Sequence, residues 1–280
     1  MSLDSKPQTS PRAQASPPLP ETTRRLADEP GWVWDEVSVD ATPRWHFRWP
    51  SAALASRHHT LLHELARGAL AIPTEAPSRF SAAHWADARD GAPFAQAPTP
   101  EHTPALMRSL GQALRQLHNH PCPDGFGVPE RLHLPQTSYF QTFNAAMAAH
   151  LDRLAGRLDA VHAPEAHARF TERFAWLRQS LSAFHPRTRS VWTLGQLSPG
   201  RILVSADHNR IVAFLDFSHC ALRPPEHDLA HALRPELATA SPRTERAFWS
   251  GYGAAPTMDL RRRVHFFSTL AQLEAELPSP

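Results

Sequence analysis

Residues 192–230 hold the side chains best suited to chemistry. Gln196 and Arg201 lie in a short polar segment before the apolar run 202–204, and a second apolar run, 211–217, contains Asp216. The residues between the two runs are typical of turns, so the spacing predicts a β-hairpin. In general, a carboxylate can ligate a metal ion and a guanidinium can bind phosphate.

The order of these residues resembles the catalytic region of the aminoglycoside phosphotransferase and choline kinase family, which is related to the protein kinases. Residues 194–203, LGQLSPGRIL, are similar to the family pattern His-Gly-Asp-Leu-His-Pro-Gly-Asn-Ile-Leu. Leu215-Asp216-Phe217 and Asp228-Leu229-Ala230 then match the later family motifs without a gap. Weaker similarities lie at residues 85–93, 110–118 and 248–253, so the resemblance covers roughly residues 31–270.

The resemblance assigns roles to three positions, and the chain departs from the family at two of them. Gln196 occupies the position of the catalytic base, where an amide cannot accept a proton near neutral pH. Arg201 replaces the asparagine that ligates the metal, and a guanidinium would repel Mg²⁺. Asp216 alone is retained as a metal-ligand candidate, and the resemblance implies that it lies close to Arg201. A charge-assisted Arg201–Asp216 bridge could then replace the ion, unless Arg201 points into solvent.

The phosphate-binding side of the expected site is also altered. Lys6 is the only lysine, so a phosphate-binding cation in the folded region must be an arginine. The resemblance places Arg48 at that position, and His58 near the helix position where the family has a glutamate. The glycine-rich phosphate loop would fall at residues 31–40, where Gly31 is the only glycine.

These departures predict a pseudokinase that binds a small ligand, a nucleotide or a protein partner, with catalysis lost or strongly reduced. The alternative is an active ATP-dependent phosphotransferase for small-molecule hydroxyls, with Arg48 on the phosphates and Asp216 on the metal. ATP and Mg²⁺ are implied by the resemblance, although Arg201 makes Mg²⁺ doubtful. A third interpretation is a purely structural subunit with a closed cleft.

Other constellations favour ordinary structural roles. The pairs His59/His63 and His227/His231 have the i, i+4 spacing of zinc ligands, but no third ligand is fixed by the sequence. Cys122 and Cys220 are predicted to be structural thiols. The tryptophans at positions 32, 34, 45 and 49 are predicted to pack in a core, and the arginine run 261–263 to be a solvated helix face that could also touch an acidic partner.

Composition excludes several classes of protein. The chain has 280 residues, of which 41% are hydrophobic and 20% charged, which is typical of a soluble globular protein. Its net charge of +2 argues against a nucleic-acid binder. No apolar run is long enough to span a membrane. No apolar run follows the first Met, so a secretory signal is not expected. The expectation is a cytoplasmic protein of bacterial type.

The elements that must position the site form an α+β, two-lobed, protein-kinase-like fold. Residues 1–28 are rich in Pro, Ser and Thr and are predicted to be a disordered tail. Residues 29–90 form a small β-rich N-lobe that includes a hairpin over 32–49. Residues 91–280 form a helical C-lobe, into which the hairpin 192–217 is inserted. Helices are predicted at 54–70, 104–118, 138–155, 165–184, 226–239, 242–251 and 259–277.

Overall fold

The computed structural model describes residues 23–29, 32–39, 42–48, 52–65, 83–87, 92–94, 103–132, 138–185, 187–205, 207–214, 216–234, 237 and 241–278. Its first element is an antiparallel sheet in the order β1-β2-β3-β4. The strands are β1 (Thr23–Glu29), β2 (Trp32–Val39), β3 (Thr42–Arg48) and β4 (Ala83–Asp87). The predicted N-terminal hairpin is therefore confirmed as β2 and β3, which pair from Val39↔Thr42 to Val33↔Arg48.

Strand β1 corrects the predicted tail. It begins at Thr23 and pairs antiparallel with β2, from Thr23↔Val37 to Glu29↔Trp32. The composition of residues 23–28 shows no period and predicts a tail, but main-chain pairing with a neighbouring strand does not require an alternating pattern. Residues 1–22, and the packing of the N-lobe tryptophans, lie outside what is described.

Seven helices follow in the described part of the chain. They are α1 (Ala52–Leu65), α2 (Thr103–His118), α3 (Phe143–Ala155), α4 (Pro164–Ser180), α5 (Glu226–Ala232), α6 (Pro242–Tyr252) and α7 (Met258–Glu276). Most fall within a few residues of their predicted ranges, but α3 begins five residues later and α5 ends earlier. Of the range 54–70 predicted for α1, residues 66–70 lie outside the described part. Capping explains several of the starts: the side chains of Thr142, Ser241 and Thr257 accept backbone N–H bonds in the first turns of α3, α6 and α7.

Two small sheets join the helices to the loops of the site. One has the order β10-β9-β5, with β5 (Ala92–Pro93), β9 (Ile202–Val204) and β10 (Ile211–Phe214). It confirms the predicted hairpin and pairs it with the segment that follows the first sheet. The other has the order β7-β6-β11-β8, with β6 (Phe126–Gly127), β7 (Tyr139–Phe140), β8 (Val191–Thr193) and β11 (Ala221–Arg223). No described helix is long and apolar enough to cross a membrane.

The hydrophobic core extends from α1 through the C-lobe. Leu61 and Leu65 of α1 belong to the same buried cluster as Leu110 of α2 and Phe248 of α6. Helices α2 and α6 approach most closely at two glycines: a Cβ on Gly111 would meet the carbonyl oxygen of Phe248, and one on Gly251 would meet that of Arg108. The two weak motifs around 110–118 and 248–253 therefore correspond to a single helix crossing.

Replacing Gly251 with alanine is expected to destabilise the protein by about 1–3 kcal/mol, because the new Cβ must displace the α2 backbone. The cost is expected to exceed the gain in helix propensity, which is about 1 kcal/mol. Gly156→Ala is the matched control, since a Cβ there has its nearest neighbours at 3.5 and 3.9 Å and the backbone is right-handed helical. Urea denaturation of both variants measures the difference. Equal stability of the two would show that the helix crossing tolerates a methyl group.

Candidate functional site

The loop after β8 begins with a conformation that requires glycine. Gly195 has φ +79°, and a Cβ at this position would meet the carbonyl oxygen of His219. The main chain therefore turns directly after Leu194, which is buried, and Gln196 is exposed to solvent. Gln196 lines a cavity of about 750 Å³ that is formed mainly by the C-lobe and also by Arg57 of α1.

The Asp228 carboxylate, at the start of α5, holds this loop from beneath. Its Oδ2 accepts hydrogen bonds from the Leu194 N–H at 2.8 Å and its Oδ1 from the Gly195 N–H at 3.3 Å. His118 Nε2 lies 3.3 Å from Oδ2, and the other ring nitrogen of His118 is 2.9 Å from the Tyr252 hydroxyl. Because an ionised carboxylate only accepts hydrogen bonds, the His118 Nε2–H is the donor to Asp228. The Asp-Leu-Ala and Leu-His motifs therefore meet at one buried carboxylate.

Asp228 remains ionised although its side chain is fully buried. Burial would raise its pKa, but the contacts with His118 and with His227, whose Nδ1 is 3.5 Å from Oδ1, hold the pKa below its ordinary value. This carboxylate is directed into the protein and is not among the residues that line the cavity. Its role is to position the loop.

Arg201 and Asp216 form the predicted bridge. Arg201 Nη1 lies 3.1 Å from Asp216 Oδ2, and the two side chains are only 9% and 1% exposed. The same nitrogen is 3.4 Å from the main-chain oxygen of Gln196, while Asp216 Oδ1 accepts the Ser218 N–H at 2.8 Å. Arg201 therefore does not point into solvent. Gln196, Arg201 and Asp216 are brought together, as the resemblance implied.

The bridge leaves a poor site for Mg²⁺. A divalent cation needs several oxygen ligands, whereas Arg201 offers only donors and its positive charge already lies against Asp216. Among the described residues no group of three His, Cys, Asp or Glu side chains could hold a metal ion. The His227/His231 pair is instead a ring contact with centroids 5.0 Å apart. The side chain of His59 lies outside the described part.

Helix α1 contacts the segment around Asp216 through His58. The fully buried His58 accepts the Phe217 N–H at its Nδ1, with a distance of 3.0 Å, and its ring lies 5.9 Å from that of Phe217. His58, near which the resemblance places the family's glutamate, therefore binds the main chain. Arg48 is the last residue of β3, and its backbone pairs with Ala83. Its side chain lies outside the described part, so its role on phosphate stays a prediction.

Other predicted roles are settled by burial and pairing. Cys220 is fully buried, and burial raises its thiol pKa; burial also raises the pKa of Cys122, whose Sγ lies 3.4 Å from the Ser190 carbonyl oxygen. The raised pKa values of both thiols fit the predicted structural role, although Cys122 is only half-buried. In the run 261–263, Arg261 pairs with Glu245 at 3.0 Å and Arg263 with Glu226 at 2.7 Å. This helix face is thus largely neutralised by intramolecular partners.

The sequence did not reveal the basic side chains that surround the cavity. Four basic residues that line the cavity belong to no motif recognised in the sequence: Arg57, Arg223, Arg234 and His219. Arg57 also lies far from Gln196 in the chain. A chain rich in arginine and histidine gives no local contrast that would single them out. Arg223 does follow the hairpin closely, but its orientation depends on bonds to Thr193 Oγ1 and the His219 carbonyl oxygen, at 3.1 and 3.2 Å.

The charges of these arginines lower the pKa values of three neighbouring histidines. Burial is the main reason that the pKa of His219 falls to about 4; Asp216 opposes the shift, and Arg201, Arg57 and Arg223 reinforce it. Burial also lowers the pKa of His231 to about 2, reinforced by His227 and Arg234. The pKa of His227 is lowered by burial and by Arg223. These imidazoles are therefore neutral at neutral pH.

Comparison with known proteins identifies the family. The model of the phosphotransferase enzyme family, APH, matches residues 46–267, which is more than half of the chain. The chain belongs to this family. No curated protein sequence matches it. The resemblance stated from the motifs is thereby confirmed.

Solved structures of phosphotransferases share the fold. A thermostable mutant of aminoglycoside phosphotransferase APH(4)-Ia, in a ternary complex with AMP-PNP and hygromycin B, matches with a TM-score of 0.67 and 14% identity over 91% of this chain and 85% of that chain. The GDP and kanamycin complex of APH(2")-IIia matches with a TM-score of 0.63 and 16% identity over 91% and 84%. Macrolide 2'-phosphotransferase MphH from Brachybacterium faecium matches with a TM-score of 0.58 and 20% identity over 90% and 84%. The predicted α+β, kinase-like fold is confirmed.

Lowering the pH from 7.5 to 5 is expected to destabilise this phosphotransferase family member. In the unfolded chain His219, His227 and His231 take up protons near pH ~6.5, whereas their folded-state pKa values are lower, about 4 for His219. Unfolding therefore binds protons in this window, so stability falls as the pH falls. Each imidazole contributes up to about 1.4 kcal/mol per pH unit.

The measurement is the free energy of unfolding in urea at several pH values. His219→Gln is expected to flatten the pH dependence above pH ~4, where only the unfolded chain binds this proton. His162→Gln, at an exposed position, is the control and is expected to leave the slope unchanged. An identical slope in wild type and His219→Gln would contradict the assignment.

Proposed function

We propose that this chain is a pseudokinase of the phosphotransferase family, which binds a ligand in the ancestral cleft while phosphoryl transfer is lost or strongly reduced. The observation that carries the proposal is the buried Arg201–Asp216 ion pair, with its 3.1 Å contact. A guanidinium there takes the place of a metal ion as the partner of Asp216. Phosphoryl transfer depends on such ions to neutralise the phosphates, so their replacement removes a main source of catalysis.

The position of the catalytic base supports the same function. Gln196 is exposed on the cavity wall, and its amide cannot take the proton of an attacking hydroxyl. The loss of general-base catalysis lowers a rate by ~10²- to 10⁴-fold, so Gln196 alone would leave slow transfer possible. Together with the displaced metal it favours a binding function.

The alternative, an active phosphotransferase for small-molecule alcohols, needs a carboxylate to substitute for Gln196. Asp207 accepts from Ser205 Oγ and the Asn209 N–H in the hairpin turn, and Asp228 is buried beneath the loop. Glu274 lines the cavity, but its carboxylate is bound by His150 Nε2 at 2.6 Å. None of these carboxylates is a ready substitute, so this alternative has the weaker support.

The ligands of related structures support a nucleotide as one occupant of the cleft. The similar structures include complexes with GDP and with AMP-PNP. We extend this to the present chain as a proposal: a nucleotide binds without Mg²⁺, with Arg48 as the cation on its phosphates. The second proposed ligand is a small molecule. We further propose that the protein is cytoplasmic and binds no nucleic acid.

Replacing Arg201 with asparagine is expected to destabilise the protein and to make it responsive to Mg²⁺. The variant leaves Asp216 as an uncompensated buried charge, which costs about 3–5 kcal/mol. It also restores an oxygen ligand, so Mg²⁺ is expected to raise the melting temperature of Arg201→Asn. Arg201→Met is the matched control, because it removes the same charge and offers no ligand.

Thermal denaturation and titration calorimetry with MgCl₂ read out this experiment. Wild type and Arg201→Met are expected to show no metal binding. The proposed replacement of the metal is wrong if wild type binds Mg²⁺, or if Arg201→Asn responds no more than Arg201→Met.

The melting temperature of the wild-type protein is expected to rise with ATP, ADP or GTP equally in the presence and absence of Mg²⁺. A ligand at a hundredfold excess over its dissociation constant stabilises by ~2.7 kcal/mol, which is a shift of roughly 5–10 °C for a protein of this size. A shift that requires Mg²⁺ would favour the active phosphotransferase instead. The absence of any shift would exclude the nucleotide and direct the search to protein partners.

A further inference from the structure

The cavity beside Gln196 has walls of two different kinds. One wall is apolar and is formed by residues of β6, β7, α3 and α7, namely Phe126, Phe140, Phe143, Met147 and Leu270. The other wall carries the loop with Gln196 and Arg201, strand β11 with Arg223, and Arg57 of α1. At about 750 Å³ the space suits a small organic molecule with an apolar body and a polar end.

The charge on the polar wall is strongly positive. Among the described residues that line the cavity, five are arginines, at positions 57, 153, 201, 223 and 234, and the only carboxylate is Glu274. Glu274 is bound by His150 Nε2 at 2.6 Å, and Arg153 Nη2 approaches His150 Nδ1 at 3.2 Å. Arg201 is paired with Asp216. The two carboxylates close to the cavity, Glu274 and Asp216, therefore already have partners within the protein.

Arg201 is the one cavity arginine that has an ion pair among the described residues. Arg153 contacts His150, which leaves the guanidiniums of Arg57, Arg223 and Arg234. Arg223 donates to a hydroxyl and a carbonyl oxygen, which fix its direction and leave its charge in place. Arg57 has a buried Nε atom that bonds to no described residue. Asp228 and Glu274 act on Arg223 at longer range, and Asp216 on Arg57. Even so, the field stays positive enough to help keep His219 neutral.

Such a cluster is costly unless an anion occupies it. Burial lowers the pKa of Arg57, and the charge of Arg223 lowers it further, so the two guanidiniums repel each other across the cavity. Arginine recognises carboxylate and phosphate groups through paired, charge-assisted hydrogen bonds. A ligand with amino groups that are protonated at neutral pH, such as an aminoglycoside, would instead be repelled.

We propose that this cavity binds a small organic anion. Its phosphate or carboxylate group lies against Arg57 and Arg223, and its apolar body packs on the apolar wall. This inference rests on the proposed function, because it names the class of ligand for the same cleft. The ligand differs in charge from kanamycin, which is bound in the related structure.

Four compounds of similar size test the class of ligand: phenyl phosphate, benzoate, benzyl alcohol and benzylamine. Calorimetry at low salt is expected to show binding of the phosphate or the carboxylate, or of both, and none of the alcohol or the amine. High salt is expected to weaken the binding, because the contact is electrostatic. Inorganic phosphate is tested in parallel: if it binds as tightly as phenyl phosphate, the apolar wall contributes nothing and that half of the proposal is wrong.

Arg57→Gln is expected to weaken binding of the anion roughly 10- to 100-fold, because the variant loses one or more hydrogen bonds to a charged group. Its melting temperature without ligand is expected to be unchanged or higher, because a repulsive charge has been removed. Arg262→Gln, at an exposed position outside the cavity, is the matched control and is expected to bind as wild type.

The outcomes separate this inference from the function on which it rests. If no anion binds, or if Arg57→Gln and Arg262→Gln bind alike, the anionic ligand is wrong, while a nucleotide shift without Mg²⁺ would leave the pseudokinase intact. If the protein transfers phosphate from ATP to an alcohol, the pseudokinase is wrong. In that case the class of ligand is still identified if the wild type binds an anion and Arg57→Gln weakens this binding.

Discussion

The candidate site depends on one buried carboxylate. Asp228 accepts the main-chain N–H groups of Leu194 and Gly195, so the start of α5 determines where the loop with Gln196 begins. The contact is strong because its surroundings exclude water and because the acceptor is charged. His118, supported by Tyr252, completes the arrangement from α2 and α6. The position of the loop therefore depends on α5 and, through His118 and Tyr252, on α2 and α6.

The guanidinium of Arg201 and a metal ion are not equivalent partners for Asp216. Both are positive, and both compensate a carboxylate that would otherwise be costly to bury. A metal ion, however, has further coordination positions and can draw two phosphate oxygens together, while a planar guanidinium bonds only through its N–H edges. If Arg201 takes the place of a metal ion, as proposed, it keeps the stabilising part of the interaction with Asp216 and lacks the part that would act on a substrate.

Local and non-local features differed in how well the sequence predicted them. The hairpin β9–β10 and the helices were predictable because each shows its own pattern of apolar residues. The arrangement of Gln196, Arg201 and Asp216 was predictable because their order along the chain matches the family motifs. Strand β1 and the three-residue strands β8 and β11 are too short or too polar to show a period, and they form because a partner strand is available. The basic wall was not predictable, because Arg57 and Arg223 meet only when α1 and β11 fold against one loop.

The hydrogen bond from the Phe217 N–H to His58 has a consequence for how the two lobes are held together. In a lysine–glutamate pair the attachment of the first helix depends on charge, and ionic strength or a bound phosphate can weaken or strengthen it. Here the helix is attached to the main chain through a neutral acceptor in a fully buried position. This contact is therefore expected to depend less on ionic strength than an exposed ion pair would, because salt screens a buried bond to a neutral acceptor only weakly.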